Sequence, residues 1–280
     1  MSELTSITDA VNPDIICVTE VYPKRYRFTT EESELSLQNY DLFKSAQVQG
    51  CRGCAIYIKK SLKANNCDII STYQDGIWCY LNLTGNDVLL IGCVYRHHEV
   101  ADFKDFLQMV NTGLNFKTTH LLLSGDFNLP NIDWSTWSAK NGSLNAIEQE
   151  FIELLRDHYL FQHVTMPTRA RLNQNSNLLD LVITNEDNMI EEIEHLGPLG
   201  SSDHSILLFD YICYYECPSS SSAKFKFNKG NYDSINEELS KVQWKDILPL
   251  NKSLEENWTS FKTIITDLMN KHIPKYTPKS

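Results

Sequence analysis

The chain has 280 residues, 42% hydrophobic and 22% charged, a balance that supplies ample material for a core and leaves room for one or two domains. No apolar run approaches the length of a membrane span, and the N-terminus lacks the basic-then-apolar pattern of a secretory signal, so a membrane partner is excluded and an intracellular address, nuclear or cytoplasmic, is expected. The net charge of −11 argues mildly against a nucleic-acid substrate, since phosphate binding favours a basic face, yet it is uneven: residues 221 to 280 hold 10 Lys against 7 acidic residues, a net of +3, so residues 1 to 220 carry −14.

In chain order, Asp14-Ile15-Ile16-Cys17-Val18-Thr19-Glu20 is a short apolar run that ends in a carboxylate. Similar runs recur at Ile56 to Ile58, Ile77 to Leu83 and Val88 to Val94, the last followed by Tyr95 and Arg96. Phe103, Phe106, Leu107 and Val110 stand at three- and four-residue steps, as do Ile147, Phe151, Leu154 and Leu155, which predicts two helices. Between them, Leu121-Leu122-Leu123 is closed by Ser124-Gly125-Asp126-Phe127-Asn128. Side chains two apart on a strand point the same way, so Asp126 and Asn128 are expected to look into one cleft together. Leu178-Leu179-Asp180-Leu181-Val182-Ile183-Thr184 carries a charge inside an apolar run, which is costly to bury unless paired. Ser202-Asp203-His204 opens the run Ile206-Leu207-Leu208-Phe209. Neighbours on a strand face opposite sides unless the chain bends, and Gly200-Ser201-Ser202 allows a bend.

Taken singly, each of these strings reads as a turn or a paired charge. Five strands delivering polar groups in the order Glu, Tyr, Asp-x-Asn, Asp and Asp-His form a constellation. Many strands with a few helices predict an α/β fold of two packed sheets with helices outside, an α/β sandwich with its polar groups gathered at one end.

Eight cysteines are present. Cys17, Cys79 and Cys93 fall within strand-like runs, where reduced, buried thiols are expected. Cys51-Arg52-Gly53-Cys54 has zinc or redox spacing, but Cys213 and Cys217 have a different gap and no histidine pair accompanies them, so a zinc reading is not favoured.

The ordered set Thr19-Glu20, Tyr95-Arg96, Gly125-Asp126-Phe127-Asn128, Leu179-Asp180-Leu181 and Ser202-Asp203-His204 resembles the endonuclease/exonuclease/phosphatase superfamily, and within it the endonuclease domain of non-LTR retrotransposons. Arg52-Gly53-Cys54-Ala55-Ile56-Tyr57-Ile58, Asn131-Ile132-Asp133-Trp134 and Pro167-Thr168-Arg169 are similar to connecting stretches of such domains. The resemblance covers roughly residues 1 to 215. It implies a domain over residues 1 to 216, followed by a linker and helical connector over residues 217 to 280 that leads toward a reverse transcriptase in the parent element. Met1-Ser2-Glu3-Leu4-Thr5 already lies in what resembles the first helix. The family's first strand, with its Asn, is therefore expected to be missing and the activity weakened, because neighbouring N–H and C=O groups lose their partners.

Phosphodiester hydrolysis needs a metal, an in-line water and donors aimed at the phosphate. The resemblance implies Mg²⁺ as cofactor, with Mn²⁺ as the alternative, and DNA as the substrate. It implies Glu20 as a metal ligand, with Asp203 supporting the metal or the histidine loop. By the same resemblance Asp126 holds or deprotonates the attacking water, and Asn128 binds and orients the phosphate. His204 donates to a phosphate oxygen while Asp180 sets its tautomer and charge, and Tyr95 steadies the phosphate or the leaving group. Position alone nominates Arg52, Arg96, Arg169 and Arg171 as guides for a DNA backbone. His97-His98-Glu99 lacks the i, i+4 spacing of a helical metal pair and reads as a surface loop.

Past Tyr215 the composition shifts. Pro218-Ser219-Ser220-Ser221-Ser222 reads as a linker. Two helical patterns follow, Tyr232, Ile235, Leu239 and Val242, then Trp258, Phe261, Ile264, Ile265 and Leu268, and Ser234-x-x-Glu237 has the form of a capping box. The alternatives to a DNA endonuclease are a phosphatase or phosphodiesterase of the same superfamily and a non-catalytic relic of a mobile element.

Overall fold

The computed structural model describes residues 2–67, 69, 72–97, 103–140, 147–170, 176–215, 224–249 and 253–276. The chain divides into two compact units, Met1–Cys217 and Pro218–Ser280. The first unit runs α1 (Ser2–Val11), β1 (Ile15–Thr19), α2 (Glu32–Leu35), β2 (Tyr40–Lys44), β3 (Cys54–Lys59), β4 (Asn65–Asn66), β5 (Gly76–Asn82), β6 (Val88–Tyr95), α3 (Phe103–Leu114), β7 (His120–Asp126), β8 (Ile132–Asp133), β9 (Ser138–Ala139), α4 (Ile147–Asp157), β10 (Phe161–Gln162), β11 (Asp180–Thr184), β12 (Ile190–Leu196) and β13 (Ile206–Tyr211).

Strand alternation builds the layers. On β6, Leu89, Ile91, Cys93 and Tyr95 face one way and Leu90 and Val94 the other, so both faces of the strand are buried. Such a strand belongs in the middle of a sheet. It lies fourth in a six-stranded sheet of order β10-β11-β7-β6-β5-β4, parallel to β7 across the α3 crossover and antiparallel to β5. One face of this sheet is covered by α3 and α4, whose Phe106, Val110, Phe151, Ile152 and Leu155 are fully buried against Leu90, Leu123 and Ile183. Burying each such side chain contributes about 1.5–3 kcal/mol. These two helices lie where the three- and four-residue steps predict them.

The opposite face packs on a second layer. There β1, β3 and β2 form an antiparallel sheet of order β1-β3-β2, and the β12–β13 pair packs into the same cluster through Ile190, Ile193, Leu207 and Phe209. Ile56, Ile58, Cys79, Leu81, Leu89, Ile91, Leu122 and Val182 fill the space between, joined by Cys17, Leu207 and Phe209. Helix α1 covers the outside of the three-stranded sheet, with Leu4 against Ala55, Tyr57 and Tyr40. The first unit is thus the α/β sandwich expected, with helices on the outer faces. β1 pairs only with β3, and β13 only with β12, among the described residues. Both open edges line one cleft.

The second unit contains β14 (Lys224–Phe225), α5 (Tyr232–Ser240), α6 (Trp244–Ile247), α7 (Leu254–His272) and β15 (Lys275–Tyr276). The capping box expected at Ser234 and Glu237 is not formed. The N-cap of α5 is Asn231, whose side chain accepts the Ser234 backbone N–H, because Asn231 lies three residues before Ser234 and takes the role Ser234 was assigned. The capping box of this unit is Ser253 with Glu256, at the start of α7. The Pro218 to Ser222 linker and Cys217 lie outside the described residues. No helix among the described residues is long and apolar enough to cross a membrane.

Candidate active site

Register sets the centre of the site. Tyr95, the last residue of β6, stands beside Asp126, the last of β7, and Asp126 stands opposite Asp180, the first of β11. Three neighbouring strands therefore present three polar side chains in one row, on the face that carries Ile91, Leu122 and Val182 toward the inter-sheet layer. Gly125 allows the close approach of β7 to β6: its φ is +141°, and a Cβ there would lie 1.9 Å from the Val94 carbonyl oxygen.

Asp126 and Asn128 do meet, though not through strand alternation. β7 ends at Asp126, and Asn128 turns back with φ +48°. Its backbone N–H and its amide Nδ2 each donate to the Asp126 carboxylate at 3.0 Å. Arg96 clamps this turn from β6. Its Nε donates to the Phe127 carbonyl at 2.7 Å and its guanidinium to the Asn128 carbonyl at 2.6 Å. Arg96 is 4% exposed, so it is a buried clasp for the turn and not the surface guide proposed for it.

The Ser202-Asp203-His204 string lies before β13, after Gly200 in left-handed conformation, and its two functional side chains stay on one side as a bend allows, with His204 Nε2 3.9 Å from Asp203 Oδ1. His204 Nδ1 lies 2.7 Å from Asp180 Oδ2, while Asp203 Oδ2 accepts from Arg169 Nε at 2.7 Å. Thr168, missed as a site residue, fixes Asp180: its Oγ1 accepts the backbone N–H groups of Leu179 and Asp180 at 3.1 and 3.0 Å. The Pro167-Thr168-Arg169 string was the available signal.

Asp126, Asp180 and His204 bring two carboxylates and an imidazole within 4.8 Å of one another. Burial first, and then the Asp180 carboxylate, push Asp126 up to about 7, against the pull of His204 and the Asn128 N–H. Burial works to lower His204, but its hydrogen bond to Asp180 and the carboxylates of Asp180, Asp126 and Asp203 outweigh that and raise it. Tyr95 is raised by burial and by its hydrogen bond to Glu20. Glu20, in left-handed conformation just past β1, is exposed on the rim and paired with Arg52.

Glu20, Tyr95, Asp126, Asn128, Asp180, Asp203 and His204 all line a single cleft of about 1060 Å³. Asp126, Asp180 and His204 form its centre, whereas Glu20 and Asp203 flank it, each held by an arginine. Of the four arginines nominated as DNA guides, Arg52 and Arg169 are these ion-pair partners, Arg96 is buried, and Arg171 lies outside the described residues. The donor chemistry fits a divalent cation: the carboxylates of Glu20 and Asp203 line the same cleft as those of Asp126 and Asp180, and a positive charge held among these oxygens offsets their mutual repulsion.

Residues 89–208 match the family described as endonuclease-reverse transcriptase. No curated protein matches the sequence. Among solved structures, the fold is similar to the endonuclease domain of TRAS1, a telomere-specific non-LTR retrotransposon, with TM-score 0.58 and 18% identity over 75% of this chain and 90% of that one. It is similar to the AP endonuclease LMAP from Leishmania major, with TM-score 0.57 and 13% identity over 75% of this chain and 81% of that one. An AP endonuclease from Archaeoglobus fulgidus gives TM-score 0.52 and 11% identity over 74% of this chain and 92% of that one.

Proposed function

Because this chain carries an endonuclease/exonuclease/phosphatase superfamily domain like that of non-LTR retrotransposon endonucleases, we propose that it hydrolyses phosphodiester bonds in DNA with Mg²⁺, or Mn²⁺, as cofactor. In this reading it nicks a target strand to leave a 3′-hydroxyl for priming. The observation that carries the reading is the row Tyr95, Asp126 and Asp180 in adjacent register, with His204 2.7 Å from Asp180.

Asp126 takes a proton from the attacking water. Its raised pKa keeps it a stronger base than an ordinary carboxylate. The water oxygen bonds to phosphorus as the bond to the 3′-oxygen breaks, and that oxygen leaves with the bonding electrons and takes up a proton from solvent. Asn128, pinned by Arg96, orients the phosphate. His204, whose protonated form is favoured by the Asp180 carboxylate, donates to a nonbridging oxygen where charge develops. Tyr95 hydrogen-bonds the phosphate. Glu20 and Asp203 would hold the divalent cation, which supplies charge stabilisation at the phosphate. Residues 217 to 280 serve as a connector toward a reverse transcriptase in the parent element.

Supercoiled plasmid tests the reading. Open-circle product is expected with Mg²⁺, none with EDTA, and a loss of about 100-fold or more in Asp126→Asn and His204→Ala. Hydrolysis of a phosphomonoester without nicking would replace the endonuclease with a phosphatase, and a folded protein inactive on both would leave the relic.

A further inference from the structure

A second cluster lies outside the cleft lining. Cys51, Asp75 and His97 bring a sulfur, a carboxylate oxygen and an imidazole nitrogen within 4.8 Å of one another. Three separate segments deliver them: the turn before β3, the residue before β5, and the chain two residues past β6. The β5–β6 pairing continues beyond the strands, with Tyr95 N–H donating to the Asp75 carbonyl at 2.8 Å, which brings Asp75 and His97 to the same end of the sheet.

The cluster is held in place. Asp75 is 1% exposed; its Oδ1 accepts the Arg52 backbone N–H at 2.8 Å and that of Gly53, while its Oδ2 faces His97 Nε2 at 2.6 Å. The His97 ring packs edge-on against Tyr95 at 5.1 Å, and its backbone N–H donates to the Tyr73 hydroxyl at 3.3 Å. Cys51 and His97 are half-buried, so one side of the cluster is open to solvent. His97 is thus a structured partner of a buried carboxylate and not only part of a surface loop, while His98 and Glu99 lie outside the described residues.

Cysteine, histidine and aspartate serve two chemistries. A nucleophilic relay sets carboxylate and thiol on opposite nitrogens of the ring. A metal site makes all three donors converge on one point. Here one donor atom from each residue lies within 4.8 Å of the other two, close enough for a single ion to reach all three. The Cys-x-x-Cys spacing is not the basis of this cluster, because Cys54 is fully buried in β3 with its Sγ donating to the Asp75 carbonyl at 3.4 Å. A sulfur, nitrogen and oxygen set selects a borderline ion of the zinc class over Mg²⁺ or Ca²⁺, which take oxygen donors.

We propose that Cys51, Asp75 and His97 form a binding site for a zinc-class transition-metal ion, with a fourth position open to water. It is distinct in donors and place from the Mg²⁺ site proposed in the cleft.

Titration of the full chain with Co²⁺ tests this. One equivalent is expected to give a thiolate-to-cobalt charge-transfer band in the near ultraviolet together with visible bands of a four-coordinate ion, and Zn²⁺ should displace both. Cys51→Ser should abolish the charge-transfer band, and His97→Gln should weaken Co²⁺ affinity by about tenfold or more, each with a melting curve to show the variant folded. Asp126→Asn should leave the band unchanged. The proposal is overturned if the folded wild type gives no charge-transfer band, if the band survives Cys51→Ser, or if Asp126→Asn removes it. None of these outcomes depends on nicking, so this site and the proposed endonuclease activity fail separately.

Discussion

Asp126 and His204 show how one carboxylate row sets two opposite titrations. Asp126 is raised from 3.8 to about 7 by burial and by Asp180, so the folded protein favours its neutral form. Stability is complete below pH 3.8, where both states are protonated, and is lost as pH climbs toward 7. Asp126→Asn is therefore expected to melt higher than wild type in metal-free buffer. The advantage should grow between about pH 4 and 7 to at most roughly 4 kcal/mol and stay flat above, as read from denaturant curves across pH. A gain that shrank with pH would contradict the burial argument. His204 is raised by its contacts with carboxylates despite burial. Its contribution is complete below its unfolded value near 6.5 and is lost as pH rises through the folded value. Asp180→Asn removes the main source of that rise. The His204 value is expected to fall when followed by NMR of the ring protons, and the alkaline limb of the nicking profile should move to lower pH.

At the scale of elements, the site is a property of strand ends. β6, β7 and β11 are legible as apolar runs, and so are the polar residues at their ends, because hydrophobic periodicity and turn residues are local signals. The register that aligns Tyr95, Asp126 and Asp180 depends on Gly125, whose missing side chain lets β7 approach Val94. Gly125→Ala is expected to cost about 3 kcal/mol or more in chemical denaturation, or to prevent folding, since both the +141° backbone and a contact of 1.9 Å with a carbonyl oppose the methyl group. The same substitution in an exposed turn, at Gly85, where nothing lies within 4 Å of the added Cβ, should cost only the strain of its positive φ. Arg96 shows the limit of reading such elements in isolation. Its position after a strand nominated it as a guide for a DNA backbone, whereas its donors serve the turn that follows the neighbouring strand β7.

At the scale of the molecule, all seven candidate residues of the cleft fall in the first unit, Met1–Cys217. A chain ending at Cys217 is expected to melt cooperatively and to show the proposed divalent-cation-dependent nicking at the same rate per mole as the full-length chain. Loss of both would mean that Pro218–Ser280 supports the fold. The sequence by itself determined the layered α/β class, the two helices that cover the six-stranded sheet, and the identity of the polar residues at the strand ends, since each rests on periodicity within a dozen residues or on an ordered motif set. Only the tertiary structure decided which of those residues meet. It brought Asp126, Asp180 and His204 together, tied Glu20 and Asp203 to arginines, and joined Cys51, Asp75 and His97, which no motif had linked. The physical reason is that pairing register and side-chain direction are set by packing between segments far apart in the chain, which leaves no mark in the local pattern of any one of them.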